Sequence, residues 1–281
     1  MRASKLIWSV LGIVATMFFA SAAGAANPYF VKDINPTLIV QSSHPQNFIE
    51  IGGVLFFTAA TRDSERELWK SDGTAPGTVM VKDINPGPGG SYPGSLTNVN
   101  GTMFFYCTDA MHGEELWKSD GTAAGTIMVK DINPGVGGSS PRNLTKVNGT
   151  LFFTVYDTTY GNQLWKSDGT ATGTVLIKVI NPGGDDSSSS QLTNVNGILF
   201  FQAADGSNGY ELWKSDGTAT GTVMVKDINP GVNGSYLNYL TNVNGTLLFA
   251  ANDGANGYEL WKSDGTTDGT VMVKDISAGG S

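Results

Sequence analysis

The sequence predicts an all-β chain: a β-propeller of four-stranded antiparallel blades on a 48-residue repeat, with five complete blades plus one orphan N-terminal strand. Three observations carry that prediction. The phrase Trp-Lys-Ser-Asp-Gly-Thr is written five times, beginning at Trp69, Trp117, Trp165, Trp213 and Trp261, and each step is 48 residues (117 − 69, and the same for later pairs). Repetition at one fixed spacing is the signature of a repeat architecture. Each unit also divides into four short strand-like segments separated by turn chemistry, which is the content of a propeller blade. Finally, the second segments, such as Leu55-Phe56-Phe57, Leu151-Phe152-Phe153 and Leu199-Phe200-Phe201, are apolar at consecutive positions. A strand needs that only where other layers cover both of its faces. A β-helix is the competing architecture, but its usual coil is much shorter and lacks hairpin turns.

Taken in order, the chain begins with Arg2 and Lys5, an apolar run from Leu6 to Ala20, and Ala23-Gly24-Ala25. Positive start, apolar centre and small-x-small end are the three parts of an export signal, so residues 1–25 read as a signal peptide cut between Ala25 and Ala26. The apolar run is short for a membrane span and nothing like it recurs, so the expected mature chain is exported and has no membrane span. Residues 26–47 read as an orphan outer strand and its linker. Tyr29-Phe30-Val31-Lys32-Asp33-Ile34-Asn35 is a stray copy of a unit's last strand, whose fuller forms begin at Val81, Val129, Val225 and Val273. Ile177-Lys178-Val179-Ile180 departs from them at one position.

Residues 48–281 are the five repeats. In the last unit, Leu240–Asn244 is the first strand, Thr246–Ala251 the second, Glu259–Lys262 the third and Val271–Ile276 the fourth. Asn244-Gly245, Asp253 to Gly257 and Ser263 to Gly269 supply the turns between them. Fourth strands number six while the first three strands occur five times. The chain is therefore expected to be truncated, with roughly 35 further residues needed to give the N-terminal strand a blade to complete. The rival is a closed five-blade ring with that strand as an appendage.

Composition narrows the function. The formal charge is −8 and no basic stretch is present to neutralise phosphates, which speaks against nucleic acid. Cys107 is the single cysteine, so no disulfide can form within the chain. It stands where sister strands carry Ala or Val and reads as a small core residue.

Glu67-Leu-Trp-Lys-Ser-Asp-Gly-Thr-Ala-Pro-Gly-Thr78 resembles the bacterial ELWxxDGTxxGT repeat family, and the copies starting at Glu115, Gln163, Glu211 and Glu259 match it too. The resemblance implies exported or cell-surface proteins with propeller-like arrays. It implies no reaction, because the repeat defines the family. A lesser likeness to the Asp-box hairpin of sialidase-type propellers concerns a structural turn.

The turn aspartates Asp72, Asp120, Asp168, Asp216 and Asp264 suit caps that accept backbone N–H groups, since every unit needs the same turn. The repeat tryptophans Trp69, Trp117, Trp165, Trp213 and Trp261 read as packing between blades, with sugar stacking as the alternative. The loop between second and third strands pairs Asp109 with Glu115, Asp205 with Glu211 and Asp253 with Glu259. Those oxygens are the candidate Ca²⁺ ligands, against a plain polar loop. No other cofactor is implied. Catalysis finds no asymmetric set: His44 and His112 are the only histidines, and each is unmatched in other copies. The expected function is therefore a non-enzymatic extracellular binding or display module that recognises a glycan or protein through repeated blade loops. A structural segment of a larger surface protein is the alternative, and an extracellular polymer-degrading enzyme is the third reading.

Overall fold

The computed structural model describes residues 30–34, 42–61, 65–87, 89–182 and 186–277. The expected signal peptide lies outside the described residues. Five antiparallel sheets follow one another along the chain, each a simple meander of four strands, and the described residues contain no helix. The first sheet is β1 (Gln46–Ile51), β2 (Val54–Ala60), β3 (Arg66–Ser71) and β4 (Val79–Lys82). The second is β5 (Gly94–Val99), β6 (Thr102–Asp109), β7 (Gly113–Ser119) and β8 (Ile127–Lys130). The third is β9 (Arg142–Val147), β10 (Thr150–Asp157), β11 (Gly161–Ser167) and β12 (Val175–Leu176). The fourth is β13 (Ser190–Val195), β14 (Ile198–Ala204), β15 (Tyr210–Ser215) and β16 (Val223–Lys226), and the fifth is β17 (Asn238–Val243), β18 (Thr246–Asn252), β19 (Tyr258–Ser263) and β20 (Val271–Lys274).

Register repeats as faithfully as sequence. The tryptophan of each third strand lies opposite an aromatic of the second, as in Phe57 with Trp69, Phe105 with Trp117 and Phe249 with Trp261. The first strands begin earlier than the apolar pattern suggests. β17 starts at Asn238 rather than Leu240, and β1 starts at Gln46, inside the segment assigned to the linker. The cause is a break in register, seen between Gly94 and Thr97 and between Asn238 and Thr241. Pairing resumes beyond it, so the strand extends past the point where alternation stops.

The core lies between sheets. Phe56, Leu68, Val81 and Ile84 of the first sheet pack against Met103, Phe105, Cys107 and Trp117 of the second. The same set recurs at each following interface, ending with Phe200, Leu212, Val225 and Ile228 against Leu247, Phe249, Ala251 and Trp261. Consecutive apolar positions in the second strand thus serve two neighbours, and Cys107 fills the small-residue position of its interface. The innermost strands β1, β5, β9, β13 and β17 lie side by side in that order.

The same leucine in different sheets has different surroundings. Leu164 is fully buried between the third and fourth sheets, whereas its counterpart Leu260 on the fifth is 38% exposed. Leu164→Ala is expected to cost about 2–5 kcal/mol, and Leu260→Ala under about 1 kcal/mol. Urea unfolding of the two variants measures the difference; equal losses would mean that burial between sheets is not what stabilises the array.

Candidate functional site

One end of the array carries the Ser-Asp-Gly-Thr turns. In the first sheet, Asp72 Oδ1 accepts the Thr74 backbone N–H at 2.9 Å and the Thr74 hydroxyl at 2.7 Å. Ser71 Oγ accepts Gly73 N–H, Thr74 Oγ1 accepts Gly77 N–H, and the Thr78 hydroxyl donates to the Thr74 carbonyl. The hydrogen bonds of Asp120, Asp168, Asp216 and Asp264 to their threonines are the same. These bonds, led by the threonine hydroxyl, lower the pKa of each of the five carboxyls. The second glycine of the motif has its own cause. A Cβ at Gly77 would sit 1.9 Å from Asp72 Oδ1, so the carboxylate occupies the place of that side chain.

The five tryptophans are buried: Trp117, Trp165, Trp213 and Trp261 lie between sheets, and Trp69 lies in a cluster with Phe57 and Ala59 against which Ile34 packs. Lys82 Nζ lies 5.8 Å from the Trp117 ring centroid and donates to the Thr126 carbonyl at 2.8 Å. Lys130, Lys178 and Lys226 repeat both contacts on Trp165, Trp213 and Trp261. The indole N–H groups are buried without a hydrogen-bond partner, and no ring face is open to a sugar.

At the opposite end, each Asp and Glu of a candidate calcium pair has its own partners. Asp109 Oδ1 accepts the N–H groups of Met111 and His112, and Oδ2 lies 2.8 Å from His112 Nδ1. Asp205 and Asp253 close the same turn on Ser207 with Asn208 and on Ala255 with Asn256. The glutamates are buried and point to the loop between sheets. Glu211 accepts the N–H groups of Ile228 and Ser235, each at 2.9 Å, and the Ser235 hydroxyl at 2.8 Å. Glu115 accepts Asn133 N–H and the Ser139 hydroxyl, and Glu259 accepts Ile276 N–H at 3.0 Å. Among the described residues, no three His, Cys, Asp or Glu side chains are grouped to hold a metal. Burial raises the pKa of Glu115 and of Glu211 to about 7 against the hydrogen bonds they accept. Gln163 does the same work uncharged, its Oε1 accepting Ile180 N–H at 3.1 Å and its Nε2 donating to the Tyr160 carbonyl at 2.7 Å.

A further group of residues at this second end has no counterpart among the sequence candidates. Asn47, Ser95, Asn143, Gln191 and Tyr239 hold the register break of the five innermost strands, with φ between 53° and 59°. Side chains with a Cβ rarely adopt that backbone. Ser95, Asn143 and Gln191, with Thr97, Thr145, Thr193 and Arg142, line a cavity of ≈ 520 Å³ among β5, β9, β13 and β17. Nearby, the Arg142 guanidinium stacks 4.4 Å from the Tyr106 centroid and pairs with Glu114. Tyr210 and Tyr236 pack with centroids 5.5 Å apart, and Tyr239 is 81% exposed. Placing the five repeats in register would have singled out this ring. Residues 47, 95, 143, 191 and 239 read Asn, Ser, Asn, Gln and Tyr, while the turn at the other end is spelled identically in every unit.

No protein-family model matches the chain, and no curated protein matches it. Among solved structures, the chain is similar to a puromycin hydrolase at 14% identity and a TM-score of 0.52, covering 81% of this chain and 37% of that one. It is similar to a prolyl endopeptidase at 12% identity and a TM-score of 0.52, covering 79% and 34%. A puromycin-hydrolyzing peptidase of Mycobacterium tuberculosis matches at 11% identity and a TM-score of 0.50, covering 83% and 37%. The regions matched are β-propeller domains. The fold is of the β-propeller type. At these identities the likeness concerns the fold alone, and the chain spans little more than a third of the length of those proteins.

Two outcomes are expected from the carboxylates of the blades. The folded pKa of Glu115 and Glu211 lies above the unfolded value, so their contribution to stability is full below about pH 4.5 and lost as pH rises through about 7. The turn aspartates act oppositely, losing their contribution as pH falls below 3.8. The melting temperature should therefore fall between pH 5 and pH 8, and the double variant Glu115→Gln, Glu211→Gln should flatten that slope. A calorimetric series that keeps its slope in the double variant refutes the assignment. Melts with added calcium and with chelator should coincide, because each Asp and each Glu already accepts hydrogen bonds from its own protein donors and no three such groups converge among the described residues.

Proposed function

We propose that the protein is an exported, non-catalytic binding module that recognises a neutral glycan at the mouth formed by its innermost strands. The observation that carries this reading is where the five blades differ. They agree in the turns at one end and differ at the register break beside the cavity at the other, where residues 47, 95, 143, 191 and 239 read Asn, Ser, Asn, Gln and Tyr above a shared set of threonines, so a near-symmetric scaffold presents one asymmetric ring. That ring offers hydroxyl and amide groups (Ser95, Thr97, Asn143, Thr145, Gln191, Thr193) with tyrosines around it, and its one lining cation, Arg142, is paired with Glu114. Hydroxyls and amides on a rigid backbone, beside large amphipathic rings, suit a polar uncharged ligand. The reading as a binder rather than a hydrolase is supported by the histidines: the His112 ring is held by Asp109, and His44 is tied into its loop by its backbone, its N–H donating to the Ser42 hydroxyl and its carbonyl accepting from Arg66. An exported location rests on the leader-like segment of the sequence.

The test is a glycan array with folded residues 26–281, followed by titration of the best sugar class. Gln191→Ala and Tyr239→Ala should each weaken binding roughly ten-fold while leaving the melting temperature unchanged. Binding that survives both substitutions would place the ligand elsewhere. A clean negative across sugar classes would move the reading to a protein ligand or to a structural segment of a larger surface protein.

A further inference from the structure

Each boundary between consecutive blades carries a further pair of variable positions at the mouth end. The first stands at the start of a third strand, and the second lies in the loop that enters the next blade. The pairs are Arg66 with Tyr92, Glu114 with Ser140, Asn162 with Ser188 and Tyr210 with Tyr236. Their backbones are tied alike. The Tyr92 and Ser140 N–H groups donate to the Arg66 and Glu114 carbonyls at 3.0 and 3.1 Å, and beside Tyr236 the Ser235 N–H donates to the Tyr210 carbonyl at 2.8 Å. The second member of each pair is left-handed, with φ between 44° and 50°.

The side chains set one boundary apart. Arg66 Nη1 turns back onto the His44 and Thr58 carbonyls at 2.8 and 3.1 Å, and Glu114 is held by Arg142. Asn162 and Ser188 bring no ring. Between the fourth and fifth blades, Tyr210 and Tyr236 set two rings together, with centroids 5.5 Å apart and planes inclined by 37°. Neither ring belongs to the apolar cluster that joins those blades. Tyr236 is 49% exposed, and so is Tyr92 at the first boundary, so the exposure belongs to the position in the blade and not to the place of the blade in the array.

Neighbouring strands lie about 4.8 Å apart, so the third strand, where Tyr210 stands, runs roughly 10 Å outward of the innermost strand of its blade. Gln191 and Thr193 of that innermost strand, β13, line the cavity. One blade therefore carries two contact zones, an inner one of amide and hydroxyl groups and an outer one of aromatic rings. We propose that the ligand of the mouth is an oligosaccharide of β-linked pyranoses with equatorial hydroxyls, one end seated in the cavity and later units stacked on Tyr210 and Tyr236. This inference rests on the reading of the mouth as a glycan site and adds the class of the glycan and the direction in which it leaves. Such a pyranose presents C–H groups on its flat faces, and these meet the negative face of an aromatic ring. A β-linked chain of them stays extended and so reaches from the cavity to the tyrosines. A monosaccharide in the cavity cannot span that step.

The test is calorimetric titration of the exported chain with cello-oligosaccharides and N-acetylated chito-oligosaccharides, from disaccharide to hexasaccharide. Affinity should rise between disaccharide and tetrasaccharide. Tyr210→Ala and Tyr236→Ala should each weaken tetrasaccharide binding roughly ten-fold and leave disaccharide binding as it was. Tyr210→Phe and Tyr236→Phe should retain the tetrasaccharide affinity, because the ring makes the contact, and Tyr92→Ala should change neither ligand. The Phe variants and the disaccharide separate loss of a ring from loss of the fold. The inference is overturned if disaccharide and hexasaccharide bind alike, if the alanine variants weaken both ligands equally, or if Tyr92→Ala matches them. It is also overturned if neither series binds at millimolar concentration. In that case the glycan array separates the two readings: another sugar class bound through Gln191 keeps the mouth as a glycan site, and no sugar bound removes both.

Discussion

The contact between one blade and the next is what the rest of this molecule depends on. A single four-stranded meander here has no core of its own, because the second strand spends consecutive side chains on opposite neighbours. Phe104 faces the third blade while Phe105 faces the first. Burial is complete only when a blade is flanked on both sides, so stability accrues interface by interface along the array, as in other repeat proteins. The lysines fit the same logic. Their stems lie along apolar surface, and their charged ends reach across to a carbonyl of the next blade, tying it at a fixed place beside its tryptophan. Apolar area supplies the driving force, and these directed bonds supply the register.

That arrangement separates the two ends of each blade chemically. The Ser-Asp-Gly-Thr end is closed on itself: its hydroxyls and the Asp72 Oδ1 atom hydrogen-bond within the turn, and a side chain at Gly77 would collide with Asp72. Few substitutions are compatible with such a turn, which accounts for its uniform spelling. At the mouth, the backbone is held instead by ladder pairing on either side of the register break, and the side chains at the break are free to vary. Variation there changes the surface without changing the scaffold. The same division explains why the end whose turns are spelled identically is the poorer candidate for recognition.

Much of the fold was legible in the sequence because its signals are local or periodic. The 48-residue step, the hairpin around each Trp-Lys-Ser-Asp-Gly-Thr and the doubly apolar second strands need no knowledge of distant partners. What escaped was set by distance. Glu67 belongs to Ile84 and Ser91, 17 and 24 residues away, across a loop whose course the sequence does not reveal. Read by itself beside an Asp and a glycine, the equivalent Glu115 has the look of a calcium ligand. The left-handed ring was hidden for another reason: Ser95, Gln191 and Tyr239 are not the residues by which such a backbone is usually recognised, and tertiary pairing overrides their local preference.

The buried glutamates also bear on how perturbed carboxyls are read. A pKa raised to about 7 at Glu115 and Glu211 would ordinarily mark a candidate general acid or base. Here the third blade places Gln163 in the same pocket, and its amide oxygen receives the same backbone N–H that the carboxylates receive. A position that accepts an uncharged isostere needs an acceptor, not a titrating proton. The raised pKa is thus the cost of burying an acceptor where water is excluded, and it recurs at Glu67, Glu115 and Glu211. Symmetry supports that conclusion, since a reacting centre needs one poised group and these recur with the blade. The asymmetric groups lie at the mouth, where Ser95, Asn143, Gln191 and Tyr239 occupy one backbone geometry with four different side chains.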